Sequence, residues 1–387
     1  MSLNYLSLNQ KRQLVSFLEL ICQELELTDT QFQDAEKKYK VVANWLDAGG
    51  IIKSYGPRII PQGSISLGTT VRPIERDEFD IDLVCKLIYA GSAQNQAYIR
   101  NIVGDRLREN KLYSEMLEPL NRGWRLNYAK SSKFHLDITP AVVNGVSSNG
   151  EILVPDRELR QWKPSNPEGY IKWFEWHASL HPQRLTEIIR AEIQPLPEPA
   201  HFKSILKRCV QILKRHRDIY FKGRNPKVTP ISIIITTLAA KSYAYAVKNH
   251  NYDNELNLLF DLIAHMHSFI LIKDINGKSE YLIPNETTSG ENFAEKWNKH
   301  PERAEAFFKW QGAAMKDIER IGVHTGLDRT QRLLMDMFGE VETSRVFNRY
   351  TNSINDTRSS GKLKANSLLG LGLTTGINLK HNTYFGN

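Results

Sequence analysis

The chain predicts an α+β protein of two lobes, a mixed α/β lobe followed by a mostly helical one. Between residues 58 and 155, short alternating apolar stretches punctuated by Gly, Pro and polar residues read as strands. From Asn166-Pro167 onward the strand signals fade and helical periods dominate. A length of 387 residues also exceeds what one ordinary core organises.

The first element is a helix over residues 8–27, whose Leu14, Phe17, Leu18, Ile21 and Leu25 share one face. Thr28 opens a second helix with Gln31 three residues on, the pattern of a capping box. It runs through Tyr39, Val42 and Trp45 to a stop at Gly49-Gly50. Arg58 to Pro61, Phe79 to Leu87, Lys133 to Val143 and Glu151 to Pro155 then read as strands, with a helix over Asn95 to Asn110 between them. Arg157 to Pro167 reads as a linker. Beyond it, helices are expected over His201 to Tyr220, Pro230 to Val247, Asn254 to Ile272, Asn292 to Glu319 and Thr330 to Arg349. From Ser359 the Gly, Ser, Asn and Thr content reads as a mobile tail. The expected division is 1–160 (N-terminal helices and first lobe), 161–358 (helical lobe) and 359–387 (tail).

Composition narrows the function. A formal charge of +8 suggests an anionic partner, a nucleic acid or a set of phosphates. Cys22, Cys85 and Cys209 lie far apart, which gives neither a disulfide framework nor a zinc site and fits a reducing cytosol. The N-terminus lacks a signal-peptide pattern, and the longest apolar run, Ile231 to Ala240, falls short of a membrane span. A cytoplasmic protein without a membrane partner is expected.

The segment that carries chemistry is Phe79-Asp80-Ile81-Asp82-Leu83-Val84. Side chains on a strand alternate faces, so Asp80 and Asp82 project together while Ile81 and Leu83 enter the core. Two carboxylates held on one face of a strand can bridge a pair of magnesium ions, which in such sites sit roughly 3.5–4 Å apart. A third carboxylate is expected from Asp137, within Phe134-His135-Leu136-Asp137-Ile138-Thr139-Pro140, where the apolar residues alternate away from it. Its role would be to ligate a metal and help remove a proton from an attacking hydroxyl. A lone Asp-x-Asp is more often a solvated strand edge. Here the flanking residues make the strand buried, where carboxylates without a counter-charge are costly.

Gly63-Ser64 follows one strand and precedes a short helical start, a place where backbone N–H groups and a hydroxyl hold phosphate oxygens. The helix carrying Lys203, Lys207, Arg208, Lys214, Arg215 and Arg217, with Asp218 its only acid, is a second source of phosphate contacts. For most of these side chains a solvated face is the simpler reading.

Gly63-Ser64, the Asp80/Asp82 pair and Asp137 resemble the motif set of the polymerase β nucleotidyltransferase superfamily. The string from Gln62 through Val84 is similar to that of the cGAS/DncV-like nucleotidyltransferases (CD-NTases) of bacterial anti-phage signalling. Trp162 to Tyr170, Ile205 to Tyr220, and Ile283 through Trp297 resemble later parts of the same family, so the likeness spans most of the chain. The resemblance implies a bilobed polymerase-β-type fold whose second lobe is oligoadenylate-synthase-like. It implies a Mg²⁺-dependent enzyme (two ions, with Mn²⁺ as a substitute) that condenses ATP and/or GTP into a cyclic di- or trinucleotide and releases pyrophosphate. Asp80, Asp82 and Asp137 would be the catalytic metal ligands. Gln62, Gly63, Ser64, Ile65, Ser66 and Leu67 would line the donor triphosphate, with Lys214, Thr229 and Ser232 as further nucleotide contacts.

Two departures matter. Ile231 stands where some relatives place a base-stacking aromatic, leaving Tyr243 or Tyr245 as substitutes. No zinc-binding insertion of the animal DNA-sensor type is present, so DNA activation is not expected. His381-Asn382-Thr383-Tyr384-Phe385-Gly386 resembles the tails that ubiquitin-transfer-like partners conjugate, although Asn387 is not a small terminal residue. A monomer is expected. The alternatives are a template-independent RNA or tRNA-end nucleotidyltransferase, and a non-catalytic nucleic-acid sensor on the same fold.

Overall fold

The computed structural model describes residues 3, 6–74, 79–128, 134–147, 149–158, 160–182, 203–275, 278–323, 326–360, 364–366, 370–372 and 377–378. Helices α1 (Leu8–Glu24) and α2 (Asp29–Ala48) lead the chain. Both begin in capping boxes, Ser7 with Gln10 and Thr28 with Gln31, so their first N–H groups find side-chain oxygens. The second of these is the box read from the sequence, and α2 stops at the expected glycines.

A seven-stranded mixed sheet follows. β1 (Pro57–Gln62), β2 (Phe79–Leu87), β3 (Leu117–Pro119), β4 (Trp124–Asn127) and β5 (Phe134–Val143) lie in the order β1-β2-β5-β4-β3. β6 (Ile152–Asp156) pairs with the end of β5, and β7 (Gln161–Ser165) with β6. In this sheet only β2 and β5 run parallel; the short α3 (Gly63–Ser66) lies between β1 and β2, and the crossover from β2 to β5 contains α4 (Gln96–Arg108) and α5 (Lys111–Met116). Phe79, Ile81, Leu83 and Cys85 of β2, with Phe134, Leu136 and Ile138 of β5, face a core closed by Val42 and Leu46 of α2 and Ile99, Val103 and Leu107 of α4. The alternate residues of β2 and β5 face the opposite side of the sheet. Strand alternation therefore does what the sequence predicted. The stretch expected to be a linker contributes β7 instead; its Pro164 is tolerated because β7 is an edge.

The remaining helices are α6 (Pro167–Ala178), α7 (Ile205–Phe221), α8 (Ser232–Asn249), α9 (Glu255–His265), α10 (Glu295–Lys299), α11 (Glu302–Val323), α12 (Leu327–Phe338) and α13 (Glu340–Ser359). They share a second apolar cluster, to which α1 also belongs: Phe17 stacks on Phe347 of α13 at 4.6 Å between ring centroids. The segment Pro226–Asn249 is long and apolar enough to cross a membrane by length and composition. Ile234, Ile235, Leu238, Ala239 and Ala240 within it are buried at the centre of the bundle.

Several helical expectations are corrected. Asn254 to Ile272 divides into α9 and the first strand of a hairpin, β8 (Leu271–Ile275) with β9 (Lys278–Leu282). Asn292 to Glu319 is two helices, and Thr330 to Arg349 breaks at Gly339, whose φ of 101° ends α12. The described part of the tail forms three short antiparallel strands, β10 (Lys364–Asn366), β11 (Gly370–Gly372) and β12 (Ile377–Asn378). His381 to Asn387 lies outside the described residues.

Candidate active site

Four side chains form one row across the sheet. Gln62 of β1 is the register partner of Asp82, Asp82 that of Asp137, and Asp137 that of Arg125 on β4. Adjacent strands lie about 4.8 Å apart, so the row delivers two carboxylates and a guanidinium within reach of one another. Asp80 stands two residues before Asp82, on the same face.

Arg125 grips this cluster. Its Nε donates to Asp137 Oδ1 at 2.7 Å and its Nη2 to Asp137 Oδ2 at 2.8 Å, a forked pair. The same Nη2 reaches Asp80 Oδ1 at 3.2 Å. His135 Nδ1 lies 3.3 Å from the same oxygen. The hydrogen bond to Asp137, more than any other cause, holds the Arg125 guanidinium above its usual range. Asp82 stands outside the fork. Burial first, then repulsion by Asp137 and Asp80, pushes its carboxyl up to about 7.

The donor set fits a hard divalent cation, because three carboxylates stand on one face of the sheet and Asp82 is repelled by the other two. Among the described residues no three His, Cys, Asp or Glu side chains are gathered to hold a metal as they stand. Arg125 occupies part of this set: its fork takes both oxygens of Asp137 and one of Asp80.

The Gly63-Ser64 turn sits against Asp82. Gly63 has φ of 71°, and a Cβ there would lie 2.2 Å from Asp82 Oδ2, so only glycine fits this approach. Ile65 packs on the first cluster and Leu67 on the second, which fixes the turn at the seam of the two. Ser66 Oγ is buried without a partner among the described residues. Ser64 accepts from Thr70 Oγ1 at 3.4 Å.

Helix α7 departs from a solvated basic face. Lys203 pairs with Glu26, Lys207 with Glu175, Arg208 with Glu255 and Glu19, Arg215 with Glu342, and Arg217 with Asp218. Lys214 differs: it is buried, and its Nζ donates to the carbonyl and hydroxyl oxygens of Thr69 at 3.1 and 2.9 Å. Burial first, then nearby Arg217, lowers its ammonium to about 7, against the pull of Asp218 and Asp82. Lys214 and Gln211, which donates to the Thr70 carbonyl, thus hold the loop that follows the Gly-Ser turn.

Two cavities open on this site. One of about 470 Å³ is lined by Asp80, Arg125, His135, Asp218, Lys222 and Thr229. The other, about 300 Å³, runs from Gln62, Gly63, Leu67 and Asp82 to Asn285, Glu291 and Phe293. The predicted Thr229 therefore shares a cavity with Asp80. Ser232 is exposed at the start of α8, where its hydroxyl accepts from Arg217 at 2.9 Å. Tyr243 is corrected as a base-stacking candidate: it is fully buried and donates to the Leu180 carbonyl. Tyr245 packs against His265 and Phe269 and lines neither cavity. Tyr170 and Phe293 line the smaller cavity, and Phe221 the larger. Sequence reading also missed Arg125, whose two-residue alternation with Trp124 and Leu126 was the signal available.

The chain is similar to several known proteins. Residues 13–177 match the Second Messenger Oligonucleotide or Dinucleotide Synthetase (SMODS) domain. The chain is 28% identical over 383 residues to the c-di-GMP synthase of Roseivirga ehrenbergii, covering 98% of this chain and 99% of that one. Among solved structures it is similar to the Bradyrhizobium diazoefficiens CD-NTase CdnG in complex with GTP, at 17% identity and a TM-score of 0.65. That likeness covers 89% of this chain and 99% of the other. The Vibrio cholerae DncV cyclic AMP-GMP synthase with nonhydrolyzable GTP follows at 15% identity and a TM-score of 0.51, over 86% and 91% of the two chains. The fold is the bilobed polymerase-β-type one.

Proposed function

We propose that this chain, whose residues 13–177 match the SMODS domain and which is similar over its length to a c-di-GMP synthase and to CD-NTase structures, is a cyclic dinucleotide synthase-like nucleotidyltransferase that condenses ATP and/or GTP into a cyclic di- or trinucleotide second messenger, releasing pyrophosphate. The observation that carries the reading is the row Gln62–Asp82–Asp137, with Gly63 closed down on Asp82. It sets a phosphate-binding turn beside paired carboxylates, the arrangement that phosphoryl transfer between an attacking hydroxyl and a triphosphate requires.

Asp80, Asp82 and Asp137 would hold Mg²⁺, or Mn²⁺ in its place, which when bound supplies charge for the triphosphate and for the attacking and leaving oxygens. The protein's own residues do the rest. The backbone of Gln62 to Leu67 and the Ser64 hydroxyl orient the donor phosphates. Lys214, Thr229 and Ser232 extend the phosphate contacts. Asp137 accepts the proton of the attacking sugar hydroxyl and holds it away from the developing phosphate ester. After a first transfer, the linear intermediate presents its own hydroxyl for the closing step.

The division into 1–160, 161–358 and 359–387, a cytoplasmic monomer, and a place in anti-phage signalling belong to the same proposal. So does conjugation of the tail by a ubiquitin-transfer-like partner. Removing Tyr384 to Asn387 should spare synthesis by the purified enzyme and block conjugation; loss of synthesis would sink the tail assignment.

The deciding experiment incubates the purified chain with each nucleoside triphosphate singly and in pairs, with Mg²⁺ and no primer. Products are then separated and weighed by mass spectrometry. A cyclic product with stoichiometric pyrophosphate is expected. Extension only of an added RNA would establish the end-transferring alternative instead, and no turnover with any substrate would leave the non-catalytic sensor.

A further inference from the structure

The 300 Å³ cavity is built like a nucleobase pocket, and it has a polar end that nothing above assigns. Starting from Gly63 and Asp82 it runs between apolar walls of Tyr170, Ile233 and Phe293, with Phe293 edge-on to Tyr170 at 6.1 Å. Its size, and apolar walls set between polar residues at its two ends, suit a small planar ligand. Aromatic walls are base-tolerant, because every base has a π face. Selection among bases must therefore come from the polar end.

At that end stand Asn166 and Asn285, whose amides are engaged within the protein, Ser165, and Glu291, whose carboxylate keeps acceptor capacity. Its orientation is fixed rather than free. Asn285 Nδ2 donates to Glu291 Oε2 at 2.7 Å and to Thr288 Oγ1 at 3.1 Å, while Asn285 Oδ1 accepts from the Thr287 N–H at 3.0 Å and hydroxyl at 2.8 Å. The loop itself is pinned to the sheet side of the cleft. Asn166 donates to the Thr287 carbonyl, and the Ser289 N–H donates to the buried Glu151. Burial raises the Glu291 carboxyl, partly offset by Asn285, so further N–H donors would be welcome there.

We propose that Glu291 is the base-reading residue of this site and that it selects guanine. An ionised carboxylate is acceptor-only. The guanine Watson–Crick edge offers two adjacent donors, N1–H and the 2-amino group, which match its oxygens. Adenine offers its 6-amino group beside the bare N1 lone pair, and cytosine its 4-amino group beside bare N3. Each sets a lone pair against the carboxylate. The recognition is of the kind in which a buried polar group left without its partner penalises the wrong substrate. This inference rests on the reading that the cavity receives a nucleoside triphosphate.

Equilibrium binding and turnover separate the two ideas. Affinities of the full chain for nonhydrolysable GTP and ATP analogues are measured with Mg²⁺, for the wild type and for Glu291→Gln. The wild type should favour the guanine analogue, and the variant should lose that preference by about 10- to 100-fold while still binding the adenine analogue. Inosine triphosphate, which lacks only the 2-amino group, should bind the wild type several-fold more weakly than GTP. This comparison holds even should the variant fail to fold. An unchanged guanine-to-adenine ratio in a folded Glu291→Gln, or equal binding of inosine and guanosine triphosphates, overturns the assignment of Glu291. Absence of any cyclic product from a wild type with intact guanine preference would overturn the synthase reading and leave this one standing.

Discussion

Asp82 and Asp137 face each other across the parallel pair β2 and β5, and Asp82 carries the cost of that meeting. Its carboxyl, ordinarily at 3.8, is pushed up to about 7 by burial and by Asp137 and Asp80. The protonated form is thus favoured in the fold. The associated stability is complete below pH 4 or so and is lost as pH rises through about 7. Asp82→Asn, which stays neutral, should melt higher than the metal-free wild type by a margin that widens between pH 5 and pH 8. Nucleotide condensation should be abolished. A margin independent of pH would mean that Asp82 is charged throughout.

Arg125 is the internal counter-charge of the same cluster, bound to Asp137 and Asp80. Replacing it with Gln should lower the melting temperature of the metal-free protein by several degrees, since it leaves two carboxylates facing without their cation. Mn²⁺ binding without nucleotide, followed by electron paramagnetic resonance, should tighten by about tenfold, because the ion no longer competes with the fork. Weaker binding would show that Arg125 chiefly orients Asp137.

Gly63→Ala combines a positive φ with a Cβ that would overlap Asp82 Oδ2. The turn must move or Asp82 must turn away. Activity should fall by at least 100-fold with a modest loss in melting temperature, on the order of 1–2 kcal/mol of backbone strain. Circular dichroism should show an intact fold. Near-normal turnover would place the phosphate turn elsewhere.

Lys214 has its ammonium lowered to about 7 from an ordinary 10.5. The neutral amine is favoured in the nucleotide-free fold, so stability present above pH 10.5 is lost as pH falls through about 7. Lys214→Met should therefore stabilise the nucleotide-free protein most at acid pH. It should also raise KM for nucleoside triphosphate more than it lowers kcat, if ground and transition states share the contact. Proton uptake on binding of a nonhydrolysable analogue near pH 8, read by calorimetry in buffers of different ionisation heat, checks the same assignment.

What the sequence made legible was local. Alternation placed Asp80, Asp82 and Asp137 on one face, because a strand with a buried face has no other register. The capping box at Thr28 and the glycine stop of α2 are likewise set by nearest neighbours. What escaped reading depends on partners distant in the chain. Gln161 to Ser165 becomes a strand only because β6 offers its edge, and Leu271 to Ile275 only because Lys278 to Leu282 folds back on it. Arg125 escaped for the same reason: alternation gives its face, but its register against Asp137 fixes its role, and register between strands is not written in either one. Glu291 gains meaning from Asn285 and from a cavity whose far end is Gly63, more than 200 residues earlier.

The contact between Phe17 and Phe347 sets the order in which the chain can mature during synthesis. The sheet and its covering helices α2 and α4 are complete once residue 165 has left the ribosome, and they can close at once. The helical cluster cannot, because α1 waits for α13. Until roughly 330 residues beyond Phe17 have emerged, Leu14, Phe17, Leu18, Ile21 and Leu25 lack the aromatic side chains of α13 that complete their cover. Such a nascent chain holds a sticky helix ahead of its sheet until α13 emerges, and it should recruit a chaperone there rather than at the catalytic sheet.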